Sequence, residues 1–188
     1  MAEQWEIVPL TREHERKTFG CGEPALDDYL ARFARQNHEQ GVARTFVAVD
    51  PQQPKRILGY YSLTVGNLDK ANFPPHAVKR LPNFPVAIAR LARLAVDHTM
   101  QGKGLGEDLL VDALLRCLRI ADEAGVFAVI IDAKHEKAKA FYARYEFESL
   151  PDQPLTLWLP LQALEHLQGM DKPKPGQMLH EDAALYQV

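Results

Sequence analysis

The chain has 188 residues, of which 46% are hydrophobic and 25% are charged, values typical of one globular domain that folds without disulfides. Its net charge of −3 and sequence pI of about 6.2 disfavour a generic nucleic-acid binder, which is usually basic. The sequence does not open on a basic leader followed by an apolar run, and it has no stretch of 18 apolar residues. We therefore expect a soluble, cytoplasmic protein.

The two cysteines, Cys21 and Cys117, lie in different sequence contexts, and neither CxxC nor HxxxH spacing occurs. The sequence therefore predicts neither a disulfide framework nor a metal site.

A helix is predicted after a first strand at residues 5–10. It begins at Pro24, a residue favoured in the first helical turn, and ends at Gly41. Its buried face is predicted from apolar residues at helical spacing, namely Leu26, Leu30, Phe33 and Ala34.

A hairpin is predicted next, because two strand-like runs at 43–49 and 57–65 flank the turn-forming sequence DPQQPK. Residues 67–85 contain four prolines and predict an irregular loop. A loop of this length inside one domain is more often functional than not.

The second half predicts a strand that ends at Val96 and a long helix that runs to about Ala124, with Gly125 as its C-terminal cap. A buried strand at 126–132, a short helix at 134–145 and a last strand at 155–159 follow. Residues 166–188 are predicted to form a tail outside a single domain that spans 1–165.

A glycine-rich turn, QGKGLG, joins the strand to the long helix. Gly102, Gly104 and Gly106 let the backbone come close to a ligand at a helix N-terminus, where free N–H groups and the helix dipole favour a diphosphate. The turn is not a P-loop, since no Ser or Thr follows Lys103, and Glu107 breaks the GxGxxG pattern. A tight strand-to-helix turn without a ligand is the alternative.

Gln101, Gly104 and Gly106 match the pattern Q/RxxGxG/A, and this part of the chain resembles the acyl-CoA loop of the GNAT N-acetyltransferases. The resemblance implies a single-domain GNAT fold of mixed α/β (α+β) class, with a twisted, mostly antiparallel sheet and helices on both faces. It also implies acetyl-CoA as the donor and no metal. The residues it implies for acetyl-CoA are Leu94, Ala95 and Val96 on a bulged strand, and Gln101, Gly102, Lys103, Gly104, Leu105 and Gly106 in the turn.

A second motif, AKAFYARYEF at 138–147, is similar to the GNAT signature A..FY...GF. By this resemblance Tyr142 is the general acid that protonates the departing thiolate. Tyr145 in the same role and Tyr142 as a packing residue remain alternatives. Glu146 stands where the family usually has Gly, so a turn with positive φ would be strained there.

No general base stands out in the sequence. Glu107 and Asp108 are interpreted as acids that complement the helix dipole, and His98 and His135 are isolated. A base is dispensable if the acceptor amine is already largely neutral.

Four segments together resemble the GNAT toxins of bacterial toxin–antitoxin pairs: FGCGEPALDDYL at 19–30, ARTFVAV at 43–49, LGYYSL at 58–63 and ARLAVD..MQGKGLGEDLL at 92–110. This branch acetylates the α-amine of aminoacyl-tRNA and blocks translation, and it implies a ribbon-helix-helix antitoxin and a homodimer. A GNAT enzyme that acts on a small-molecule or protein amine, and a non-catalytic acyl-CoA-binding module, remain alternatives.

A tRNA substrate requires a cationic surface. The candidates are Arg44, Lys79, Arg80, Arg90 and Arg93, with Arg32 and Arg35 in addition. Arg90 and Arg93 have opposite parity along their strand, so they share a face only if a bulge lies between them.

Overall fold

The computed structural model describes residues 5–164; the predicted tail at 166–188 lies outside them. The strands are β1 Glu6–Pro9, β2 Arg44–Asp50, β3 Gln53–Leu68, β4 Val86–Val96, β5 Ala128–Asp132, β6 Glu148–Leu150 and β7 Gln153–Pro160. The helices are α1 Pro24–Asp28, α2 Ala34–Gln40, α3 Pro75–Val78, α4 Leu105–Glu123 and α5 Glu136–Ala143, with a π-helical turn at Tyr29–Phe33 and a 3₁₀ turn at Lys70–Asn72.

All seven strands form one sheet in the order β1-β2-β3-β4-β5-β7-β6. Only β4 and β5 pair in parallel, and the other pairs are antiparallel. The predicted mixed α/β fold with a mostly antiparallel sheet is confirmed, and so is the β2–β3 hairpin.

The sheet separates two layers of core. On one side, which we call the α4 face, Leu91 and Leu94 pack with α4 and α5. On the other side, the α1 face, Ala95 packs with α1 and Ile88 packs with α3. Alternate residues of β4 therefore supply the two cores.

A β-bulge interrupts β4 at Ala92, because Ser62 pairs with Arg93 while the next residue of β3 pairs with Leu91. Up to this point β4 also pairs with β5, from Ile88 opposite Ala128 to Leu91 opposite Ile131. Beyond the bulge, β4 pairs with β3 alone within residues 5–164. The two central strands therefore part at Ala92 and leave a split in the sheet.

The predicted helix 24–40 is present, but Phe33 is not on its buried face. Phe33 is 49% exposed, whereas Leu26, Leu30 and Ala34 are buried. The π-helical turn contains one residue more than an α-helical turn, which moves the next core-facing position from Phe33 to Ala34. As predicted, Gly41 ends the helix with a left-handed φ of 72°.

Several other elements differ from the prediction, and β3 begins at Gln53, inside the predicted turn DPQQPK. The segment 67–85 is not wholly irregular, since it contains α3 and a 3₁₀ turn, and the short strand β6 was not predicted. Gly125 does not cap α4 with a positive φ; the helix ends at an extended Ala124 instead.

Cys21 and Cys117 form no disulfide within residues 5–164; both are buried, in cores on opposite faces of the sheet. None of the helices within residues 5–164 has the length and apolarity that a membrane span requires. No group of three His, Cys, Asp or Glu residues in the same range could hold a metal ion.

Candidate active site

The glycine turn takes the backbone conformation that its sequence predicts. Gly102 and Gly104 have φ of 77° and 88°, and Gly104 is the N-cap of α4. A Cβ placed on Gly104 would meet no atom within 4 Å. The positive φ, and not crowding within the protein, therefore requires glycine here, and the space beside it is open to a ligand.

Gln101 holds the turn against the rest of the domain. Its side-chain amide donates to the carbonyl of Val96 at 3.0 Å and to that of Cys21 at 2.9 Å. The side chain thus fixes the turn to the end of β4, while Lys103 is exposed on the turn. The N–H groups of the first turn of α4 remain the natural anion-binding groups.

The three predicted strand residues lie beside the split. Leu94 and Val96 direct their side chains into the core of the α4 face, and Ala95 faces the opposite core. Because β5 pairs with β4 only as far as Leu91, it supplies no partner for these residues. An extended ligand that enters the split could bond to their backbone, as a strand would.

Tyr142 on α5 places a polar group inside the core of the α4 face. It is fully buried in the same core as Leu94, Val96 and Leu105, and its hydroxyl has no hydrogen-bond partner in the described part of the chain. Burial raises the pKa of the Tyr142 hydroxyl above its usual value. The group therefore stays protonated and is available as a proton donor.

Tyr145, the alternative acid, has a different environment. Its hydroxyl donates to the carboxylate of Glu107 in the first turn of α4. Glu146 has a φ of 67°, so the strained turn predicted from this non-glycine residue is present. The histidines serve local structure: His135 accepts from the N–H of Ala138 at 3.1 Å and caps α5.

The acids of the α4 N-terminus are engaged in contacts within the protein. Asp108 accepts from Trp5 Nε1 at 2.8 Å. Burial raises the pKa of the Asp108 carboxyl to about 6, even though the Trp5 bond opposes this shift.

The bulge at Ala92 brings Arg90 and Arg93 to the same face of the sheet, the α1 face. The Arg93 guanidinium lies 3.6 Å from the ring centroid of Tyr29, and Arg90 forms an ion pair with Asp132. Lys79 and Arg80 follow α3 on this face and are exposed.

The remaining cationic candidates lie elsewhere. Arg44 is exposed at the start of β2 and donates to the carbonyl of His38 at 2.9 Å. Arg32 and Arg35 pair with Asp28 and Glu39 of their own helix. The structure therefore groups Arg90 and Arg93 beside the split and leaves Arg44, Arg32 and Arg35 outside that group.

Tyr29 and Asp132, which contact these two arginines, were not predicted from the sequence. Asp132 is the exposed last residue of β5, whose other four residues are buried, and polar side chains at the carboxyl end of a buried strand often belong to a site. That signal was present in the sequence, but its pairing with Arg90 depends on the sheet order.

Comparison with known proteins agrees with this geometry. Residues 41–149 match the acetyltransferase (GNAT) domain family. A tRNA-acetylating toxin of Mycobacterium tuberculosis is 43% identical over 142 residues, which cover 76% of this chain and 83% of the relative.

Two solved structures have the same fold. AtaT complexed with acetyl-methionyl-tRNAfMet superposes with a TM-score of 0.81 at 26% identity, covering 87% of this chain and 99% of the other. AtaTR bound with acetyl-CoA superposes with a TM-score of 0.77 at 27% identity, covering 87% and 97%. With its split sheet, its glycine turn and its buried tyrosine, this chain belongs to the GNAT family of acetyltransferases.

Proposed function

We propose that this protein is an acetyl-CoA-dependent N-acetyltransferase toxin that acetylates the α-amine of aminoacyl-tRNA and thereby blocks translation. The observation that carries the proposal is the buried, unpartnered hydroxyl of Tyr142, in the core that also contains Leu94 and Val96 of β4. The 43% identity to a tRNA-acetylating toxin supports the choice of acceptor.

The proposed site for acetyl-CoA runs from the glycine turn into the split. The N–H groups of Gly102 to Gly106 receive the diphosphate, with Lys103 beside it as a cation. The backbone of Leu94 to Val96 bonds the extended part of the cofactor and polarises the acetyl carbonyl. Gln101 positions the turn through its bond to Val96.

Tyr142 donates a proton to the leaving group. The acceptor nitrogen forms a bond to the acetyl carbon as the carbon–sulfur bond breaks, and Tyr142 Oη protonates the departing thiolate. The nitrogen loses one proton to solvent in the same reaction and the Tyr142 phenolate takes one up from solvent, so the overall transfer consumes no proton. The α-amine of a peptide has a pKa of about 7.7–8.0, far below that of lysine, and the aminoacyl ester lowers the pKa of the amine further, so a reactive neutral fraction is present near pH 7 without a dedicated base.

The tRNA would approach on the α1 face, because the cationic candidates nearest the split lie on that face. Arg90 and Arg93 lie there beside the split, and Lys79 and Arg80 extend the cationic surface along α3. We also propose that Arg44 contacts a tRNA phosphate farther from the split. This local charge accounts for a nucleic-acid substrate in a chain whose net charge is −3.

We also propose an antitoxin partner and a homodimer, as expected of this branch of the family, and a cytoplasmic location, where charged tRNA is found. The toxin name of the mycobacterial relative supports the antitoxin. Residues 166–188 are proposed as a tail outside the acetyltransferase domain.

The deciding experiment incubates purified protein and labelled acetyl-CoA with total tRNA that has been charged with amino acids. We expect label on the aminoacyl group of one or more isoacceptors and none on uncharged tRNA. Charged tRNA that stays unlabelled across all isoacceptors, while the protein binds acetyl-CoA, would reject the proposed acceptor and favour a small-molecule or protein amine.

A further inference from the structure

One acidic side chain lies where β4 and β5 part. The last pair between these strands joins Leu91 to Ile131, and Asp132 is the next residue of β5. Ile131 faces the core of the α4 face, so Asp132 faces the α1 face, where Arg90 meets it. Asp132 thus lies at the apex of the split, on the side from which the acceptor would approach.

Two donors fix the carboxylate of Asp132 from within the protein. Arg90 Nη1 bonds Oδ2, and Thr156 Oγ1 donates to Oδ1 at 2.9 Å. An ionised carboxylate can accept about four hydrogen bonds, so both oxygens keep capacity for another donor. The Asp132 side chain is 52% exposed, so solvent or a ligand can donate a hydrogen bond to these oxygens.

The charges around Asp132 restrict what can bind there. Arg90 and Arg93 favour phosphate and repel a cation, whereas Asp132, which pairs with Arg90, places a negative charge at the apex of the split. An acceptor that carries both an amine and nearby phosphates matches this arrangement of opposite charges.

We propose that Asp132 recognises the α-amino group of the acceptor, an inference that rests on the proposed function. Asp132 attracts the charged form of the amine; once that form has lost a proton to solvent, the neutral amine still donates an N–H to the carboxylate and keeps its lone pair free to face the acetyl carbon in the split. Thr156 is a positioning residue, because it orients Asp132 without contact to the acceptor. Arg90 contacts a phosphate of the same acceptor and also bonds Oδ2 of Asp132.

The test compares two ligands that differ only in the amine. One is a charged tRNA that the wild type acetylates, and the other is the same tRNA esterified with the deaminated acyl group. We expect the wild type to bind the amine form at least about tenfold more tightly, the usual range for a hydrogen bond to a charged group. In Asp132→Asn the two affinities should agree within about twofold. The affinity for acetyl-CoA should not change.

Two further variants separate recognition from a purely structural ion pair. If Asp132 served only to hold Arg90, then Asp132→Asn and Arg90→Gln would weaken both tRNA ligands equally and keep the discrimination; that result would overturn the proposal. Thr156→Val should lower the discrimination less than Asp132→Asn does.

Asp122→Asn is the matched control, since this exposed acid on the last turn of α4 lies far along the helix from the glycine turn. Its discrimination should equal that of the wild type. Failure of the proposed function would appear differently, as a wild type that acetylates no charged tRNA at all.

Discussion

At the scale of single residues, substitution of Tyr142 should affect catalysis without lowering the stability of the fold. Its hydroxyl is buried without a partner, so its removal costs no hydrogen bond in the folded protein and relieves a desolvated polar group. We expect Tyr142→Phe to lower the rate of acetylation by about 10²–10⁴-fold. The free energy of unfolding should stay equal or rise by about 1 kcal/mol.

Turnover on charged tRNA and urea unfolding of the same preparations check both parts of this prediction. Tyr145→Phe is the matched comparison, because that hydroxyl is bonded to Glu107. If Tyr145→Phe abolished turnover and Tyr142→Phe did not, the assignment of the acid would be wrong.

Gly104 is the second residue whose role can be isolated. A Cβ there would meet no protein atom within 4 Å, but φ of 88° strains any L-residue and the new side chain would occupy the ligand's approach. We expect Gly104→Val to weaken CoA binding by at least about tenfold and to destabilise the fold by about 1–2 kcal/mol. Calorimetric titration with CoA measures the first effect.

Gly125→Val provides the control for this substitution. Gly125 also has open space around it, and its φ is not in the left-handed region. CoA affinity should be unchanged in this variant. Equal affinity of Gly104→Val and the wild type would show that the turn is not the CoA site.

At the scale of elements, the sequence predicted those helices, strands and turns whose formation depends on residues close together in the chain. The long helix α4, the hairpin β2–β3 and the glycine turn follow from periodicity and turn residues within a few positions. The bulge at Ala92 and the π-helical turn at Tyr29–Phe33 do not, because each depends on which neighbour the element packs against. Each of these irregularities changes the face to which the following side chains point. From the sequence, Arg90 and Arg93 could therefore be placed on one face only on the condition that a bulge lies between them.

Helix α4 is attached to the sheet by a buried polar cluster. Tyr61 on β3 donates to Asp112, and Arg116 Nε donates to the Asp112 carboxylate at 2.9 Å and to the Tyr61 oxygen at 2.7 Å. Asp112→Leu removes the acceptor of the Tyr61 hydroxyl and the counter-charge of Arg116, although Arg116 can still donate to the Tyr61 oxygen, and we expect it to cost about 2–4 kcal/mol. Tyr61→Phe keeps the ion pair and should cost about 1 kcal/mol. Urea unfolding gives both values, and the reverse order would contradict this account of the cluster.

The N-terminus of α4 should make stability depend on pH. The pKa of Asp108 is raised to about 6 from an ordinary value of 3.8 by burial, so the folded protein binds this proton more tightly than the unfolded chain. The group therefore adds stability as the pH falls from about 6 toward 4, and that stability is absent at pH 7.5. We expect Asp108→Asn to unfold at a higher temperature than the wild type at pH 7.5.

The difference between Asp108→Asn and the wild type should shrink steadily as the pH approaches 4. Asparagine still accepts from Trp5 through its amide oxygen, so both proteins keep this hydrogen bond and differ only in the charge at position 108. Thermal unfolding of both proteins at several pH values gives the comparison. A gap that is independent of pH would mean that Asp108 ionises normally in the folded state.

At the scale of the whole molecule, the net charge gives no indication of the local positive charge on which the proposed tRNA contact depends. A chain with 22 Lys and Arg against 25 Asp and Glu appears unsuited to tRNA. The fold places Arg90 and Arg93 beside the split, while Arg32 and Arg35 pair with acids of their own helix. Composition could not predict this sorting, since it depends on the order of strands in the sheet.

The same arrangement predicts the effect of the protein on a cell. Acetylation of an α-amine prevents an aminoacyl group from accepting a peptide, so expression of the wild type in a bacterial host should stop growth and protein synthesis. Expression of Tyr142→Phe to the same level should do neither, because that variant keeps its fold and its cationic face but lacks the acid. Incorporation of labelled amino acid and colony counts measure the two effects. Arrest by both proteins would instead indicate that binding to tRNA, and not acetyl transfer, is the toxic event.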